Sequence, residues 1–291
     1  MSLKLDPNRA YHFLHEREPV GRIPGGFGVA DVATLFLTAG RCPIGCAMCD
    51  LHQNTLPTAT PARAIERQIR AALVRMPSAS WIKLYNSGNF FDPGSIPPQD
   101  YQAIADCCRP FDRVIVENHP RFGASRHERF QDQVETQLEI AVGLETVQPR
   151  WLSRMRKQMT RDEFDRYAKR LRRLGIDLRV FLIVGVPGVT AREATRWARL
   201  SVRHAAANGA RHISLIPARF GHGWNGRGDA LPDIELERLS DLFAEARSDV
   251  AAPACVSVDL WGFEFDQLSA ADKERMTKLQ RAILRQDTSE L

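Results

Sequence analysis

Three cysteines stand within eight residues of the stretch "GRCPIGCAMCD": Cys42, Cys46 and Cys49, in the spacing C-x3-C-x2-C. No fourth cysteine is near them. Cys107, Cys108 and Cys255 fall in apolar surroundings, where a thiol acts as a small hydrophobe. Closed iron–sulfur and structural zinc sites take four protein ligands, whereas an open position marks a catalytic metal. Three thiolates can hold three irons of a cubane and leave the fourth iron open to a small molecule. A zinc ion completed by Asp50 or His52 is the competing chemistry. A purely electron-transferring cluster would need a fourth cysteine.

The elements that must position this loop read as strand–helix alternation. "VATLFLT" (Val32 to Thr38) is a buried strand that runs straight into the cysteines. "WIKLYNSG", "RVIVENHP", "LEIAVGLET", "LRVFLIVGVP" and "HISLIPAR" are five more strands, each set off by helical pattern. The helix from about Arg161 to Leu174 stops at Gly175, and "LRVFLIVGVP" is apolar throughout, as a strand covered on both faces should be. Six such units call for one parallel α/β sheet with right-handed crossovers, either a partial barrel or an open doubly wound sheet. In both, the C-terminal ends of the strands gather the active site. The tail holds a glycine-rich loop, a helix, a short strand near "VSVDLWGF" and a last helix. The expected division is an N-terminal extension over 1–31, a core over 32–220 and a C-terminal extension over 221–291, as one domain overall.

The chain has 291 residues and a formal net charge of +5, much of it arginine in runs such as "RWLSRMRKQMTRDEFDRYAKRLRRLG". That balance permits an anionic partner such as RNA without demanding one. No apolar run approaches the roughly 20 residues that cross a bilayer, and the N-terminus lacks the apolar core of a signal peptide. A cytoplasmic protein with no membrane partner is expected. Clustered cysteines in that compartment point to metal or catalysis rather than disulfides.

"RCPIGCAMCD" resembles the signature of the radical S-adenosylmethionine (SAM) superfamily, with Met48 at the position before the last cysteine where an aromatic is commoner. The resemblance covers roughly Val32 to Arg219. It implies a partial (β/α)6 TIM-like barrel and one oxygen-sensitive [4Fe-4S] cluster whose open iron takes the amino and carboxylate groups of SAM. It also implies an external one-electron reductant of the flavodoxin or ferredoxin type. Reduction splits a C–S bond to give methionine and a 5′-deoxyadenosyl radical, which abstracts hydrogen from a substrate. Asn86, Ser87 and Gly88 occupy the turn that contacts the SAM amino group, although this "NSGN" lacks that turn's acid. "VGLET" resembles the equivalent segment of proteins akin to the Elongator catalytic subunit, which makes Glu145 a partner for the SAM ribose or amino group. Among Arg154, Arg156 and Lys157, Arg156 is the expected partner of the SAM carboxylate. "IVGVPG" and "ISLIP", through Val184 and Ile213, would lie along the adenine.

"CPIGCAMCDLHQNT", "KLYNSGNFFDPGSIPP", "RVIVENHP" and "VGLET" together are similar to the family of the archaeosine synthase radical SAM subunit and its bacterial relatives. That likeness implies a 7-deazaguanine or other nucleobase-related substrate, with tRNA as the carrier. Substrate-side candidates at the strand ends are Asn89, Phe91, Asp92, Glu117, His119, Arg219, His222, Trp224, Asp259 and Trp261, with Phe90 and Asn118 beside them. A flat base could stack on an aromatic while carboxylates read its edge. The alternatives are a radical SAM enzyme of natural-product biosynthesis acting on a free metabolite, and a non-catalytic iron–sulfur sensor. Adjacent Cys107 and Cys108 with a lone Cys255 make a poor second cluster.

Overall fold

The computed structural model describes residues 5–23, 26–123, 125–219 and 231–291. Its frame is one eight-stranded sheet in the sequential order β1 to β8. β1 (His12–Ile23) and β2 (Gly26–Phe36) pair antiparallel. From β2 on, neighbours are parallel: β3 (Trp81–Tyr85), β4 (Arg113–Glu117), β5 (Gln137–Glu145), β6 (Asp177–Val184), β7 (Ala210–Pro217) and β8 (Cys255–Val258). The two sheet edges approach each other, for a Cβ added at Gly21 of β1 would lie 2.9 Å from the Pro253 carbonyl oxygen before β8. The result is a nearly closed, mostly parallel barrel, in keeping with a partial TIM-like barrel.

All six expected strands are present, and β8 extends the parallel set to seven. β1 is not legible in the sequence, because its inward positions carry Glu16 and Glu18 where a strand pattern would show apolar residues. The crossover helices are α1 (Ala64–Leu73), α2 (Tyr101–Cys108), α3 (Ser125–Val134), α4 (Pro149–Arg154), α5 (Arg161–Arg173) and α6 (Ala191–Ala207). α7 (Leu236–Asp249) and α8 (Ala270–Arg285) complete the outer layer. Among the described residues no helix is long and apolar enough to cross a membrane.

Strand side chains alternate in direction. Leu35, Ile82, Val114, Ile140, Val180 and Ile213 face the helices and are fully buried in one continuous core with them. The opposite faces enclose the barrel interior, and much of that interior is charged. Arg179 donates to both carboxylate oxygens of Glu18 (2.8 and 2.7 Å) and to Glu139 (2.8 Å). Arg211 holds Glu139 through two more hydrogen bonds, and Arg113 links Glu139 to Asp177. Lys83 donates to Glu16 and Glu18. The Trp81 ring lies within about 5 Å of the Arg113 and Arg211 guanidiniums, 5.0 and 5.1 Å from its centroid. Four cations thus meet four carboxylates, so the interior is neutral even though its members are ionised. β1 is indispensable to that balance, since it delivers Glu16 and Glu18 from the far edge.

Burial draws the Glu139 carboxyl upward, but Arg211, Arg179 and Arg113 overcome it and hold the group well below the usual carboxylate range. Its folded-state pKa is depressed, so its stabilisation is present above the ordinary value of about 4.3 and is lost as pH falls below it. Replacing Glu139 by Gln leaves Arg211 with no carboxylate partner among the described residues, removes one of two from Arg179 and from Arg113, and is expected to cost about 3–5 kcal/mol. Urea unfolding at pH 7 measures this, and the gap between wild type and Glu139→Gln should narrow as pH falls below about 4.

Candidate active site

The cysteine loop leaves the C-terminal end of β2 and is tied down from several directions. Gly40 pairs with Leu56 in an isolated bridge, and the Leu56 N–H donates to the Ala39 carbonyl. Gly40 admits no side chain, since a Cβ there would lie 2.2 Å from the Gly94 carbonyl oxygen. On the far side, the turn between α4 and α5 straps the loop. The Ala47 N–H donates to the Met155 carbonyl (2.7 Å), and the Gln158 side chain donates to the Ile44 carbonyl (2.6 Å).

That turn has unusual backbone. Arg156 (φ 51°) and Gln158 (φ 53°) are both left-handed, a conformation uncommon outside glycine. Their alternation throws Arg156 and Gln158 outward and Lys157 inward. The turn is held on its other end by α5, where Thr160 and Glu163 form a reciprocal capping box.

The loop, the strand ends and this turn enclose a cavity of about 320 Å³. Cys42, Cys46, Met48 and Cys49 line one wall, Ser87, Gly88 and Glu117 another, and Glu145 with Lys157 a third; Phe181, Ile183 and Ile216 give it an apolar side. All three thiols are free and partly exposed. Burial pushes the Cys46 thiol up and the Cys49 thiol up to about 11, against the pull of the Lys157 ammonium. Thiolates here therefore require positive charge close by.

Lys157 is nearest to hand. Its ammonium donates to Glu145 (2.6 Å) inside the wall. Burial would lower its pKa, but the Glu145 carboxylate and the Cys46 sulfur outweigh that and raise it, so Lys157 stays charged. Glu145 reaches the cavity through a register shift between Gly143 and Glu145, where its own φ is 65°. Gly143 makes room for the pair, since a Cβ there would sit 2.1 Å from the Glu145 carboxylate and 2.7 Å from the Lys157 ammonium.

Glu117 does more than end β4. One of its oxygens accepts the N–H of Asn86 (2.7 Å) and of Gly88 (3.1 Å), so it organises the turn whose own sequence lacks an acid. Burial pushes its carboxyl up to about 7, despite backbone N–H donors from Asn86, Gly88 and Ser87 that favour the anion. Asn89 links the same region to the cysteines: its side-chain amide donates to the Cys42 sulfur (3.0 Å) and its oxygen accepts the His119 N–H.

Several expected residues are elsewhere. Arg156 is exposed and does not line the cavity, because the left-handed turn presents Lys157 instead. Val184 and Ile213 face the helices; their neighbours of opposite parity, Ile183 and Ile216, reach the cavity. Asn86 is buried behind the turn, donating to Ser95. Phe91 is fully buried with Phe90, Tyr101 and Phe130, and Asp92 caps its own turn at Gly94. His119 borders the cavity, but both ring nitrogens are engaged: Nδ1 accepts the Arg121 N–H and Nε2 donates to the Lys157 carbonyl. Burial, then the Lys157 charge, pushes it down to about 4, so it is a neutral brace. Arg219 and Asp259 pair with each other (3.2 Å), and exposed Trp261 lies 6.3 Å from Phe36 between ring centroids. His222 and Trp224 lie outside the described residues. Cys107 and Cys108 are buried at the end of α2, and Cys255 is in β8, so no fourth thiol joins the loop.

Among the described residues no three metal-binding side chains converge as one ion requires. A cluster makes no such demand, since it presents a separate iron to each thiol. Three free thiols, a hydrogen-bond donor on one sulfur and a buried cation opposite make a donor set that fits it.

No protein-family model matches the chain. An uncharacterised protein of Methanopyrus kandleri is 28% identical over 189 residues, or 61% of this chain and 36% of that protein. The chain therefore spans about a third of that relative's length. Among solved structures, Streptococcus suis SuiB bound to S-adenosylmethionine superposes with a TM-score of 0.59 at 10% identity, covering 81% of this chain and 52% of that one. Methylornithine synthase, PylB, gives 0.54 at 10% identity, covering 86% and 81%. At these identities the likeness is one of fold.

Glu117 yields a prediction. Its folded-state pKa is raised, so the unfolded chain ionises first, near pH 4.3. Between there and about pH 7 the folded state holds one more proton, and stability must fall across that window. Urea unfolding should show wild type losing stability relative to Glu117→Gln from pH 5 to 7.5. A constant difference would mean that the carboxyl titrates normally.

Proposed function

We propose that this chain is a radical SAM enzyme, and that Cys42, Cys46 and Cys49 hold a [4Fe-4S] cluster with one iron left for SAM. The observation that carries the reading is the placement of three free thiols, and no fourth, in the wall of a cavity at the C-terminal end of the first parallel strand. Support also comes from the fold shared with a structure that holds SAM. When bound, such a cluster supplies the electron that splits SAM into methionine and a 5′-deoxyadenosyl radical able to take hydrogen from a substrate.

The chain's own groups divide the remaining work. Lys157 offsets the negative charge of the thiolates and offers a cation to a carboxylate. The Ser87–Gly88 turn, gathered under Glu117, offers backbone and the Glu117 carboxyl to an ammonium group. Phe181, Ile183 and Ile216 keep water from the apolar side. Asn89 donates to the Cys42 sulfur, which stabilises the more electron-rich state of that ligand.

A cavity of about 320 Å³ is at the low end for a small-molecule site, so the substrate meets the cofactor at the mouth. Trp261 stands 68% exposed beside Phe36, the last residue of β2, which favours a planar, nucleobase-related substrate such as a 7-deazaguanine compound, free or carried on tRNA.

The test is anaerobic reconstitution with iron and sulfide, then dithionite, SAM and quantitation of 5′-deoxyadenosine. Wild type should form it and Cys46→Ala should not. Zinc in place of iron in protein purified without oxygen would sink the reading. Within it, Asn89→Ala should lower the cluster's midpoint potential in an electrochemical titration, because the sulfur loses a donor; an unchanged or higher potential would remove Asn89 from this role.

A further inference from the structure

The electron that this reading requires must come from outside, and the surface behind the cysteine loop is where charge accumulates. Residues 150–173, covering α4, the strapping turn and α5, hold ten Lys and Arg against three Asp and Glu. That is ten minus three, +7, which exceeds the +5 of the entire chain. Lys157 alone among the ten is spent inside the cavity wall.

The outward arginines are placed beside the loop. A notch of about 290 Å³ opens between the exit of β4 and α5, with Arg121, Arg166 and Arg170 around it and Gln158 at its edge. Gln158 is the residue that binds the Ile44 carbonyl, and Arg121 donates to its other end. The notch is therefore one side chain away from the segment that carries Cys42 and Cys46. Arg121 and Arg166 are exposed; Glu163, which also lines the notch, feels the Arg166 charge. Arg170 is held by Glu128 at 3.2 Å. The notch and the cysteine cavity share His119 alone among their lining residues. An electron carrier needs only to come close to the cysteines, and Gln158 at the notch edge touches their loop.

We infer that the face formed by α5 and the turn after α4 docks a small acidic protein that carries one electron to the cysteine site. The inference rests on the functional reading above. One electron leaves the carrier's reduced centre and enters the iron–sulfur site, with no atom or proton exchanged. Attraction between opposite fields speeds such encounters and fades with salt.

The experiment compares wild type, Arg166→Glu, and Arg166→Glu combined with Arg170→Gln, all reconstituted anaerobically. The probes are a reduced flavodoxin and, separately, a reduced ferredoxin, each of net negative charge, with dithionite as the small-molecule control. Stopped-flow absorbance follows cluster reduction, and isothermal titration follows binding of the oxidised carriers. With at least one carrier, the double variant should be reduced about tenfold more slowly and bind more weakly, with less dependence on salt. Its rate with dithionite, its iron content and its urea midpoint should match wild type; should the double variant be unstable, Arg166→Glu alone carries the comparison with a smaller effect. Equal rates in variant and wild type with both carriers would overturn the inference while leaving the functional reading intact. Loss of binding to a single-stranded RNA with carrier rates unchanged would also overturn it, assigning the face to nucleic acid. A wild-type chain that takes up no iron would instead overturn the functional reading.

Discussion

A buried lysine is tolerated only where its charge is answered, and the geometry around Lys157 follows from that need. Its ammonium requires Glu145, Glu145 requires the register shift at the end of β5, and both require the missing side chain of Gly143. To deliver the lysine inward, the chain accepts left-handed backbone on either side of it, at Arg156 and Gln158. The same turn then supplies the carbonyl of Met155 and the amide of Gln158 that fix the cysteine loop. One interaction thus sets the charge of the cavity wall and the position of the cysteines facing it.

The barrel interior supports this arrangement from below. An apolar interior would have been simpler to build, yet Glu18, Lys83, Glu139 and Arg179 fill it as a neutral network that spans β1, β3, β5 and β6. Each member fixes the register of its strand against strands it does not pair with, since a one-residue slip would bury an unpaired charge. The strand ends that carry Glu117, Glu145 and Ile183 inherit that precision. The cavity is consequently open at the C-terminal side and closed on the other by ion pairs.

Much of this is legible in the amino-acid sequence wherever the signal is local. The helical pattern over 161–174 becomes α5 at Arg161–Arg173, because its N-cap Thr160 and the Gly175 that stops it immediately flank the segment. The parallel strands show as apolar runs, and the cysteine loop sits at the strand end where the sequence puts it. What escapes depends on partners distant in sequence. β1 looks like a polar extension until the cations that answer Glu16 and Glu18 are placed opposite it. Strand identity alone brings Val184 and Ile213 to the cavity, but strand parity turns them to the helices. The preference for Arg156 over Lys157 fails on two left-handed residues that no composition announces. Position at a strand end makes Glu117 a substrate contact, whereas its hold on the turn at Asn86 and Gly88 emerges only in three dimensions.

The central claim is that the three-cysteine site keeps one iron for the amino-acid end of SAM. Electron–nuclear double resonance on the reduced, reconstituted protein, with SAM carrying 15N at its amino group, measures that contact directly. The account predicts a hyperfine coupling between the labelled nitrogen and the cluster spin. If equilibrium dialysis shows SAM bound and no such coupling appears, the open iron is not where SAM binds, and the account is contradicted.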